Sequence, residues 1–344
     1  MNDLRGRYCK EPFSILHIGY QGKTFLCCPA YQKFNVGNIF TAKDIDSIWN
    51  SIPAKVLRKS VCDGSFSYCN DFCGLKVSGN LPWIDECDEQ WQKIITDPMK
   101  NLNFLPSRVQ LAYDCSCNLR CIFCRHEYYH ANESEYRSFE KVKDSLIKPL
   151  LKNVEMLEIA GGEVFASKHL QTYFEELTME EYPKLQYYLI TNGTLFNKET
   201  WNRYPSLQQK IHTVNVSIDA AKKETYEAIR RGGNWEALIS NLHFISQLRK
   251  NNKIKVLKIS FVVQRSSYKE MAEFIHLGIK FDVDLIVFSR IENTFIHSEE
   301  DFVNMDVCDA RNKEHGQFLE IFKHPLFRDK RVWLGNILPQ VINA

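Results

Sequence analysis

The chain has 344 residues, and its 44 Lys and Arg residues nearly balance 42 Asp and Glu residues, which gives a net charge of +2. This balance does not indicate a broad surface for nucleic acid or anionic membranes. The N-terminal MNDLRGRYCKEPF lacks the apolar stretch of a signal peptide, and no apolar run reaches the length of a membrane span. We therefore expect a globular cytoplasmic protein without nucleic-acid or membrane partners.

The cysteines are numerous and unevenly placed. The chain has twelve cysteines, which is a high number for a cytoplasmic protein, because disulfide bonds are rare in reducing compartments. Eleven of them precede residue 125, at positions 9, 27, 28, 62, 69, 73, 87, 115, 117, 121 and 124, whereas Cys308 stands alone beyond them. This distribution favours metal or iron–sulfur ligation over disulfide bonds.

Residues 1–80 predict a small cysteine-rich α+β domain. Two short apolar runs, SILHIGY and GKTFLCC, flank the turn GYQGK and predict a hairpin. One helix is expected over AKDIDSIWNSIPAKVLRKSV. A mostly polar connector with one amphipathic helix is expected over residues 81–106.

Apolar runs and helical patterns alternate over residues 107–295. The runs that predict buried strands are VQLAYD, VEMLEIA, LQYYLIT, HTVNVSID, VLKISFVVQ and VDLIVFS. Helical patterns lie between them, and Ser138 is expected to cap the first of these helices. The alternation predicts a parallel α/β sheet, and six units fit a partial (β/α)6 barrel better than a closed one. Residues 296–344 are expected to form an extension that covers the barrel.

Polar motifs follow four of the predicted strands. A cysteine-rich loop follows the first strand, Gly161–Glu163 follows the second, Thr191–Gly193 follows the third, and Ser217–Asp219 ends the fourth. In parallel α/β folds, ligands bind at the carboxyl ends of the strands. The sequence therefore predicts an active site at this edge of the sheet.

The cysteine-rich loop offers three thiolates within eight residues, because Cys117, Cys121 and Cys124 are spaced C-x3-C-x2-C. A structural zinc site uses four ligands, which only Cys115 or a distant residue would complete. A [4Fe–4S] cluster fits three cysteines better, because its fourth iron then stays open for another ligand. A zinc knuckle and buried, unligated thiols are the alternatives.

These motifs resemble the radical S-adenosylmethionine (SAM) enzymes in kind, order and strand position over about residues 108–290. The resemblance implies that Cys117, Cys121 and Cys124 hold a [4Fe–4S] cluster whose open iron binds SAM. An electron from the cluster would cleave SAM to methionine and a 5′-deoxyadenosyl radical, which abstracts a substrate hydrogen. An electron donor such as flavodoxin or ferredoxin is implied, and Cys115 is expected to pack near the cluster without ligating it.

The same resemblance assigns part of the SAM site to the first two loops. Phe123 would pack against the adenine, with an ordinary core role as the alternative. Glu163 would accept a hydrogen bond from the SAM ammonium group. Gly161 and Gly162 would allow the backbone to approach the ligand closely.

The rest of the implied SAM site comes from later loops. The resemblance implies that Ser217 and Asp219 make polar contacts to the ribose or the methionine of SAM. It also implies that Asn192 lies near these contacts. An arginine in YEAIRRGGNWEAL would reach the SAM carboxylate, and Arg230 is preferred over Arg231.

The N-terminal domain resembles the auxiliary iron–sulfur modules called SPASM and twitch, which usually follow the barrel. The cysteines that the resemblance assigns to one auxiliary [4Fe–4S] cluster are Cys9, Cys27 and Cys73, with Cys28 or Cys69 as the fourth. A second cluster would need Cys62, Cys69 and Cys87, and the family's leading C-x2-C is incomplete here. One or two auxiliary clusters are thus implied, with a zinc-stabilised module as the alternative.

The reaction itself stays open. A small carbohydrate-like substrate, dehydrogenated or epimerised, is favoured, since no segment looks like a leader-peptide-binding domain. The alternative is a ribosomal peptide that is cross-linked or epimerised. Cys308 is either a hydrogen-atom donor to a substrate radical or a small buried residue. A zinc-binding interaction module without catalysis is the alternative of another class, and it would predict a basic face.

Overall fold

A computed structural model describes residues 4–293, 296–337 and 341. The chain forms two compact units, each built from several segments. Unit 1 contains Met1–Cys115, Ala131–Gly161 and Leu177–Gln186, and unit 2 contains Ser116–His130, Gly162–Glu176 and Tyr187–Ala344. Small parts of the expected domains lie outside the described residues, namely 1–3, 294–295, 338–340 and 342–344.

The strands are short and are distributed along the whole chain. They are β1 (Ile15–Ile18), β2 (Lys23–Phe25), β3 (Gly37–Asn38), β4 (Arg108–Leu111), β5 (Arg120–Cys121), β6 (Met156–Ile159), β7 (Gln186–Thr191), β8 (Ile211–Ser217), β9 (Arg230–Arg231), β10 (Val256–Val263), β11 (Leu285–Arg290) and β12 (Val332–Trp333). All six strands that the sequence predicts from residue 108 onwards are confirmed as β4, β6, β7, β8, β10 and β11.

Helices separate most of these strands. The α-helices are α1 (Asp46–Trp49), α2 (Ile52–Cys62), α3 (Gly74–Val77), α4 (Glu89–Thr96), α5 (Glu133–Val142), α6 (Lys148–Leu151), α7 (Lys168–Glu176), α8 (Lys198–Arg203), α9 (Pro205–Lys210), α10 (Lys223–Ile229), α11 (Trp235–Lys250), α12 (Met271–Lys280), α13 (Glu299–Met305) and α14 (His315–Ile321). A π-helical turn, Lys143–Ile147, joins α5 to α6, and 3-10 turns lie at Glu11–Phe13, Tyr20–Gly22, Tyr268–Glu270, Pro325–Arg328 and Gly335–Ile337. Among the described helices, none has the length and apolar character of a membrane span.

In unit 1 the N-terminal hairpin shares a sheet with later strands. Strand β1 pairs antiparallel with β2, with Ile18 opposite Thr24, which confirms the predicted hairpin. On its other side β1 pairs parallel with β4, with Ile18 opposite Leu111. Strand β4 in turn pairs parallel with β6, with Leu111 opposite Ile159. The sheet of this unit therefore combines cysteine-rich and barrel strands.

Two helix starts in unit 1 differ from the sequence-based expectations. The single helix expected over residues 42–61 is divided into α1 and α2, because Ser51 caps α2 and accepts a hydrogen bond from the Ala54 N–H at 3.2 Å. The cap expected at Ser138 is wrong, because that residue lies inside α5. Asn132 caps α5 instead, and it forms a capping box with Glu135.

Unit 2 contains a parallel sheet in the order β12, β11, β10, β8 and β7. Along β10, buried and half-buried residues alternate, and all four buried residues are apolar. The edge strand β12 was not predicted, since two residues are too few to show a period. The structure thus confirms a mostly parallel α/β fold, and it places the strand-end motifs of unit 2 on loops that begin at the same edge.

Candidate functional site

The loop that carries the three cysteines is fixed by backbone hydrogen bonds within unit 2. The Cys117 N–H donates to the Tyr129 carbonyl at 2.9 Å. Cys121 lies on β5, which pairs antiparallel with β9, so that Cys121 stands opposite Arg230. The Cys124 N–H donates to the Cys121 carbonyl at 2.9 Å. The backbone therefore holds the three thiols on one short, closed loop.

Hydrogen-bond donors surround these sulfur atoms. The Leu119 N–H lies 3.4 Å from Cys117 Sγ, and Asn192 Nδ2 lies 3.9 Å from the same sulfur. Arg125 Nη2 lies 3.6 Å from Cys124 Sγ. Such donors stabilise thiolates and tune iron–sulfur clusters, so this loop fits the expected [4Fe–4S] group.

The same loop is largely closed to solvent. Cys117, Leu119 and Cys121 are buried against one another. Phe123 and Cys124 are partly buried and pack against these three residues. Burial raises the pKa of Cys117, and it raises the pKa of Cys121 to about 11. Within the described ranges, no three His, Cys, Asp or Glu side chains have the spacing of a single metal-ion site. A [4Fe–4S] cluster spaces its thiolates more widely than one ion does.

Glu163 is fully buried and holds the loop that follows β7. The Thr191 hydroxyl donates to its Oε1 at 2.7 Å, and the Asn192 N–H donates to its Oε2 at 2.6 Å. The Phe165 N–H adds a longer bond of 3.3 Å to Oε1. Burial raises the pKa of Glu163, although these donors act in the opposite direction. Because a carboxylate has about four acceptor positions, Glu163 keeps capacity for one further donor.

Asn192 connects the β7 loop to the cysteine loop. Its Nδ2 donates to Asn118 Oδ1 at 2.9 Å, and its own Oδ1 accepts from the N–H of Thr194 at 3.0 Å. Asn118 Nδ2 donates to the Thr194 hydroxyl oxygen at 2.9 Å. Neither Asn118 nor Thr194 was predicted as a site residue from the sequence. Their only signal is that each lies in a loop directly after a predicted strand.

Gly161 occupies a position in unit 1 that requires glycine. Its φ of +102° lies in a region that side chains disfavour, and a Cβ there would lie 2.6 Å from the Asp114 carbonyl oxygen. Gly162 is half-buried and precedes Glu163 in the chain. The glycine pair thus allows the tight turn between β6 and the Glu163 loop.

Asp219 and Arg230, which the sequence assigned to separate SAM contacts, form an ion pair with each other. Asp219 Oδ2 lies 2.6 Å from Arg230 Nη2, and both side chains are buried. The Val262 N–H donates to Asp219 Oδ1 at 2.8 Å. Burial lowers the pKa of Arg230, but the neighbouring carboxylate and Cys121 outweigh this effect, so that the pKa is raised. Among the described residues, Arg230 Nε has no hydrogen-bond partner.

Ser217, another candidate SAM contact in unit 2, is the last residue of β8. It is half-buried, and its hydroxyl accepts a hydrogen bond from Ser260 at 3.3 Å. The Asp219 N–H also reaches the Ser260 carbonyl at 3.4 Å. Ser260 lies on β10 and was not identified from the sequence.

Five candidate cluster thiols of unit 1 are neighbours. Cys27 has Cys9, Cys28 and Cys73 as electrostatic neighbours, and Cys9 has Cys69 and Cys73. Burial raises the pKa of Cys9 to about 12 and that of Cys69 to about 11. Cys28 is exposed, whereas Cys73 is buried. Four or more thiols in one place suit an iron–sulfur cluster.

Cys62 and Cys87 have other surroundings. Cys62 is buried in an apolar cluster with Phe13 and Phe66, and its charged neighbours are Arg58 and Asp63. The Cys87 thiol donates to the Ile84 carbonyl at 2.9 Å. Cys9 and Cys69 also pack against the apolar cluster.

Cys308 is buried beside a buried carboxylate. Its N–H donates to Asp306 Oδ1 at 2.9 Å, and Arg290 Nη2 lies 2.6 Å from Asp306 Oδ2. Burial, and then the charge of Asp306, raise the pKa of the Cys308 thiol. The thiol is therefore neutral at ordinary pH. Cys115 is half-buried at the end of the first segment of unit 1.

A parallel α/β fold with a three-cysteine loop and polar strand-end loops defines an iron–sulfur enzyme domain. A family model for the Radical SAM superfamily matches residues 115–278, and a model for SPASM, an iron-sulfur cluster-binding domain, matches residues 9–74. The chain therefore carries a domain of the radical SAM superfamily, with a SPASM domain on its N-terminal side. Its cofactors are SAM and [4Fe–4S] clusters.

Individual relatives are distant. A probable GTP 3′,8-cyclase of Methanocaldococcus jannaschii is 25% identical over 158 residues, which are 46% of this chain and 50% of that protein. The antilisterial bacteriocin subtilosin biosynthesis protein AlbA of Bacillus subtilis is 26% identical over 136 residues, 38% of this chain and 28% of AlbA. The chain spans about half the length of the first of these relatives.

A solved structure of SuiB from Streptococcus suis bound to S-adenosylmethionine is also similar. The sequence identity is 18%, the match covers 68% of this chain and 49% of SuiB, and the TM-score is 0.42.

Proposed function

We propose that the protein reductively cleaves SAM and abstracts a hydrogen atom from a carbon of its substrate. The loop of Cys117, Cys121 and Cys124 carries this proposal, because it presents three thiols among N–H donors within the matched Radical SAM domain. When bound, the cluster and SAM supply one electron and a sulfonium, which together yield methionine and a 5′-deoxyadenosyl radical. A flavodoxin or ferredoxin is the proposed source of the electron.

The chain's own residues would bind and orient SAM. Glu163 has capacity for one more hydrogen bond and would accept it from the ammonium group. Gly161 and Gly162 would let the backbone approach the methionine, and Phe123 would pack against the adenine. Asn192 would hold the Glu163 loop against the cysteine loop through the contacts described above.

The Asp219–Arg230 pair modifies the proposed roles of these two residues. Asp219 neutralises the charge of Arg230 through Nη2, and Arg230 Nε, which has no hydrogen-bond partner among the described residues, would be the donor to the SAM carboxylate. Asp219 Oδ2 pairs with Arg230, and Asp219 Oδ1 accepts a hydrogen bond from the Val262 N–H. An oxygen that also accepted a hydrogen bond from the ribose would therefore have two partners. Ser217, with a hydroxyl that already meets Ser260, would supply a second polar contact.

For the auxiliary site, we propose one [4Fe–4S] cluster on Cys9, Cys27 and Cys73, with Cys69 or Cys28 as the fourth ligand. The mutual proximity of these thiols supports the assignment. A second cluster that used Cys62 and Cys87 has less support, because the electrostatic neighbours of Cys62 are Asp63 and Arg58, whereas those of Cys9 include Cys69 and Cys73. The proposed roles of this auxiliary cluster are to accept an electron from a substrate radical or to bind a substrate group.

The proposed substrate is a small carbohydrate-like molecule that is dehydrogenated or epimerised. Epimerisation would need a hydrogen-atom donor, and the neutral thiol of Cys308 is the proposed donor. In deuterated water an epimerase would place deuterium from this exchangeable thiol in the product, and the Cys308→Ala variant would stop that transfer. A dehydrogenase would show neither effect.

A ribosomal peptide is the second candidate substrate, and the similarity to AlbA, named as a bacteriocin biosynthesis protein, favours it. Incubation with short peptides and with sugars, followed by mass analysis of each, distinguishes the two candidates. A mass loss of one hydrogen molecule on a sugar supports dehydrogenation, whereas a change confined to a peptide overturns the carbohydrate proposal.

The test of the core proposal uses anaerobically purified protein with dithionite and SAM. Wild type should hold about four irons per cluster and release 5′-deoxyadenosine. The Cys117→Ala, Cys121→Ala, Cys124→Ala variant should lose this release and keep the auxiliary iron. A colourless zinc protein, or an iron protein that leaves SAM intact, contradicts the proposal.

A further inference from the structure

A cavity of about 790 Å³ lies in unit 2 beside the cysteine loop. Its wall includes Ile122, which stands between Cys121 and Cys124, and also Arg231 and Gln264 from the ends of β9 and β10. His297 joins the wall to the loop, because its Nε2 lies 2.9 Å from the Ile122 carbonyl oxygen. The cavity thus adjoins the loop proposed to hold the radical-generating cluster, and its volume suits a small molecule.

The charges that line this cavity do not cancel. Arg265 and Lys269 share the single carboxylate of Glu314, with Arg265 Nε 2.6 Å from Oε1 and Lys269 Nζ 3.5 Å from Oε2. Asp301, in the first turn of α13, also lines the cavity. The Ser298 hydroxyl donates to Asp301 Oδ2 and accepts from the Asp301 N–H. Three cations therefore meet two carboxylates, and the excess is positive.

Arg231 is the lining cation that takes no part in these ion pairs. Its side chain is exposed, and among the described residues it has no hydrogen bond or ion pair. It stands directly opposite Arg120 in the β5–β9 pair, and like charges at opposite positions of a strand pair are destabilising. Arg120 itself lies over the Tyr128 ring at 5.4 Å. An anion at Arg231 would relieve the repulsion between the two guanidinium groups.

Gln264 supplies a second unsatisfied group in the same wall. Its side chain is 1% exposed, and in the part of the chain that the structure describes neither amide atom has a hydrogen-bond partner. A buried polar group without a partner destabilises the protein. A ligand that offers both a donor and an acceptor would remove this destabilisation, since the Gln264 amide is both.

We propose that this cavity binds the substrate through an anionic group, a carboxylate or a phosphate, paired with Arg231, and through a neighbouring polar group paired with Gln264. The proposal rests on the proposed function, because it makes the cavity next to the cysteine loop the substrate site. It also gives Arg231 a role separate from that of Arg230, which Asp219 already neutralises.

The test measures binding of inorganic phosphate and of acetate to the reconstituted full chain by calorimetry. Wild type should bind at least one of the two anions, and the preferred anion distinguishes a phosphate from a carboxylate substrate. Arg231→Met should weaken that binding about tenfold or more, Gln264→Ala should weaken it less, and Arg231→Lys should restore part of it. The control is Arg137→Met, which removes an exposed arginine of α5 and should bind as wild type does.

Release of 5′-deoxyadenosine, measured in the same samples without added anion, separates this inference from the proposed function. If wild type releases none, the proposed function fails, whatever the anions do. The inference itself is overturned if wild type binds neither anion, or if Arg231→Met binds them equally well. It is also overturned if Arg231→Met loses SAM cleavage, because Arg231 would then serve the SAM carboxylate.

Discussion

Asp219 and Arg230 meet through a 2.6 Å contact in the interior of unit 2. Asp219 adopts a left-handed conformation, with φ of +67°, two residues after the end of β8, whereas Arg230 opposes Cys121 in the β5–β9 pair. A non-glycine residue with positive φ is uncommon and persists where its surroundings hold it. The ion pair therefore links the position of the cysteine loop to the end of β8.

Loss of this pair should destabilise the protein strongly. In Asp219→Asn the Arg230 charge would stay buried without its carboxylate, and the expected loss of unfolding free energy is about 3–5 kcal/mol. Denaturant unfolding of the apo protein measures it. Glu133→Gln is the matched control, since it breaks the exposed Arg137–Glu133 pair and should change little. Equal effects of the two substitutions would contradict the importance of burial.

Asn192→Ala should make the reduction potential of the cysteine-loop cluster more negative. The substitution removes the Nδ2 group that lies 3.9 Å from Cys117 Sγ, and hydrogen bonds to sulfur stabilise the reduced cluster. A shift of up to about 60 mV, a tenfold change for one electron, is expected in a redox titration followed by electron paramagnetic resonance. Asn241→Ala is the control, because Asn241 supports the same loop through the Gly193 and Thr194 carbonyls. A shift in both variants would indicate loop distortion instead.

Gly161→Ala should lower the stability by more than about 1 kcal/mol, because alanine resists a φ of +102° and its Cβ would press on the Asp114 carbonyl. Gly316→Ala provides a contrast of opposite sign. Gly316 lies near the start of α14 with nothing within 4 Å of an added Cβ, and alanine favours helices over glycine. Thermal unfolding of both variants checks the pair, and a neutral Gly161→Ala would show that the turn can relax.

Cys308 should resist alkylation in the native protein. Burial and the nearby Asp306 raise the pKa of its thiol, so at pH 8 almost no reactive thiolate is present. Iodoacetamide labelling followed by peptide mass spectrometry should find Cys308 unmodified in native protein and fully modified in guanidinium. Asp306→Asn, which removes the adjacent charge, should speed the labelling. Rapid native labelling would mean that the thiol is open to solvent.

The sequence predicted the strands well and the side-chain partnerships poorly. Strand β11 begins with the apolar run Leu-Ile-Val-Phe, which local composition reveals. Strands β5 and β9 have two residues each, so their pairing leaves no period in the sequence. The helix start near Ser138 was misplaced because Asn132 and Glu135 form a better cap six residues earlier.

The same limit applies to the site. The spacing of Cys117, Cys121 and Cys124 is local, and it could be recognised directly. The ion pair joins Asp219, in the loop after β8, to Arg230 on β9, and the pattern of either segment does not reveal the other. Nothing in the sequence indicated that Gln264 belongs to a site. A glutamine after a strand becomes a candidate only when the structure shows that its amide is buried without hydrogen-bond partners.

The parallel pairing of β1 with β4 determines how the N-terminal domain can be removed or exchanged. Deleting residues 1–80 would strip β4 of one hydrogen-bonded neighbour and leave a row of free N–H and C=O groups on an open edge. Such an edge recruits other chains, so the truncated protein should aggregate. The iron–sulfur domain is therefore an integral border of the sheet, and any domain that replaced it would have to supply a strand in the same register.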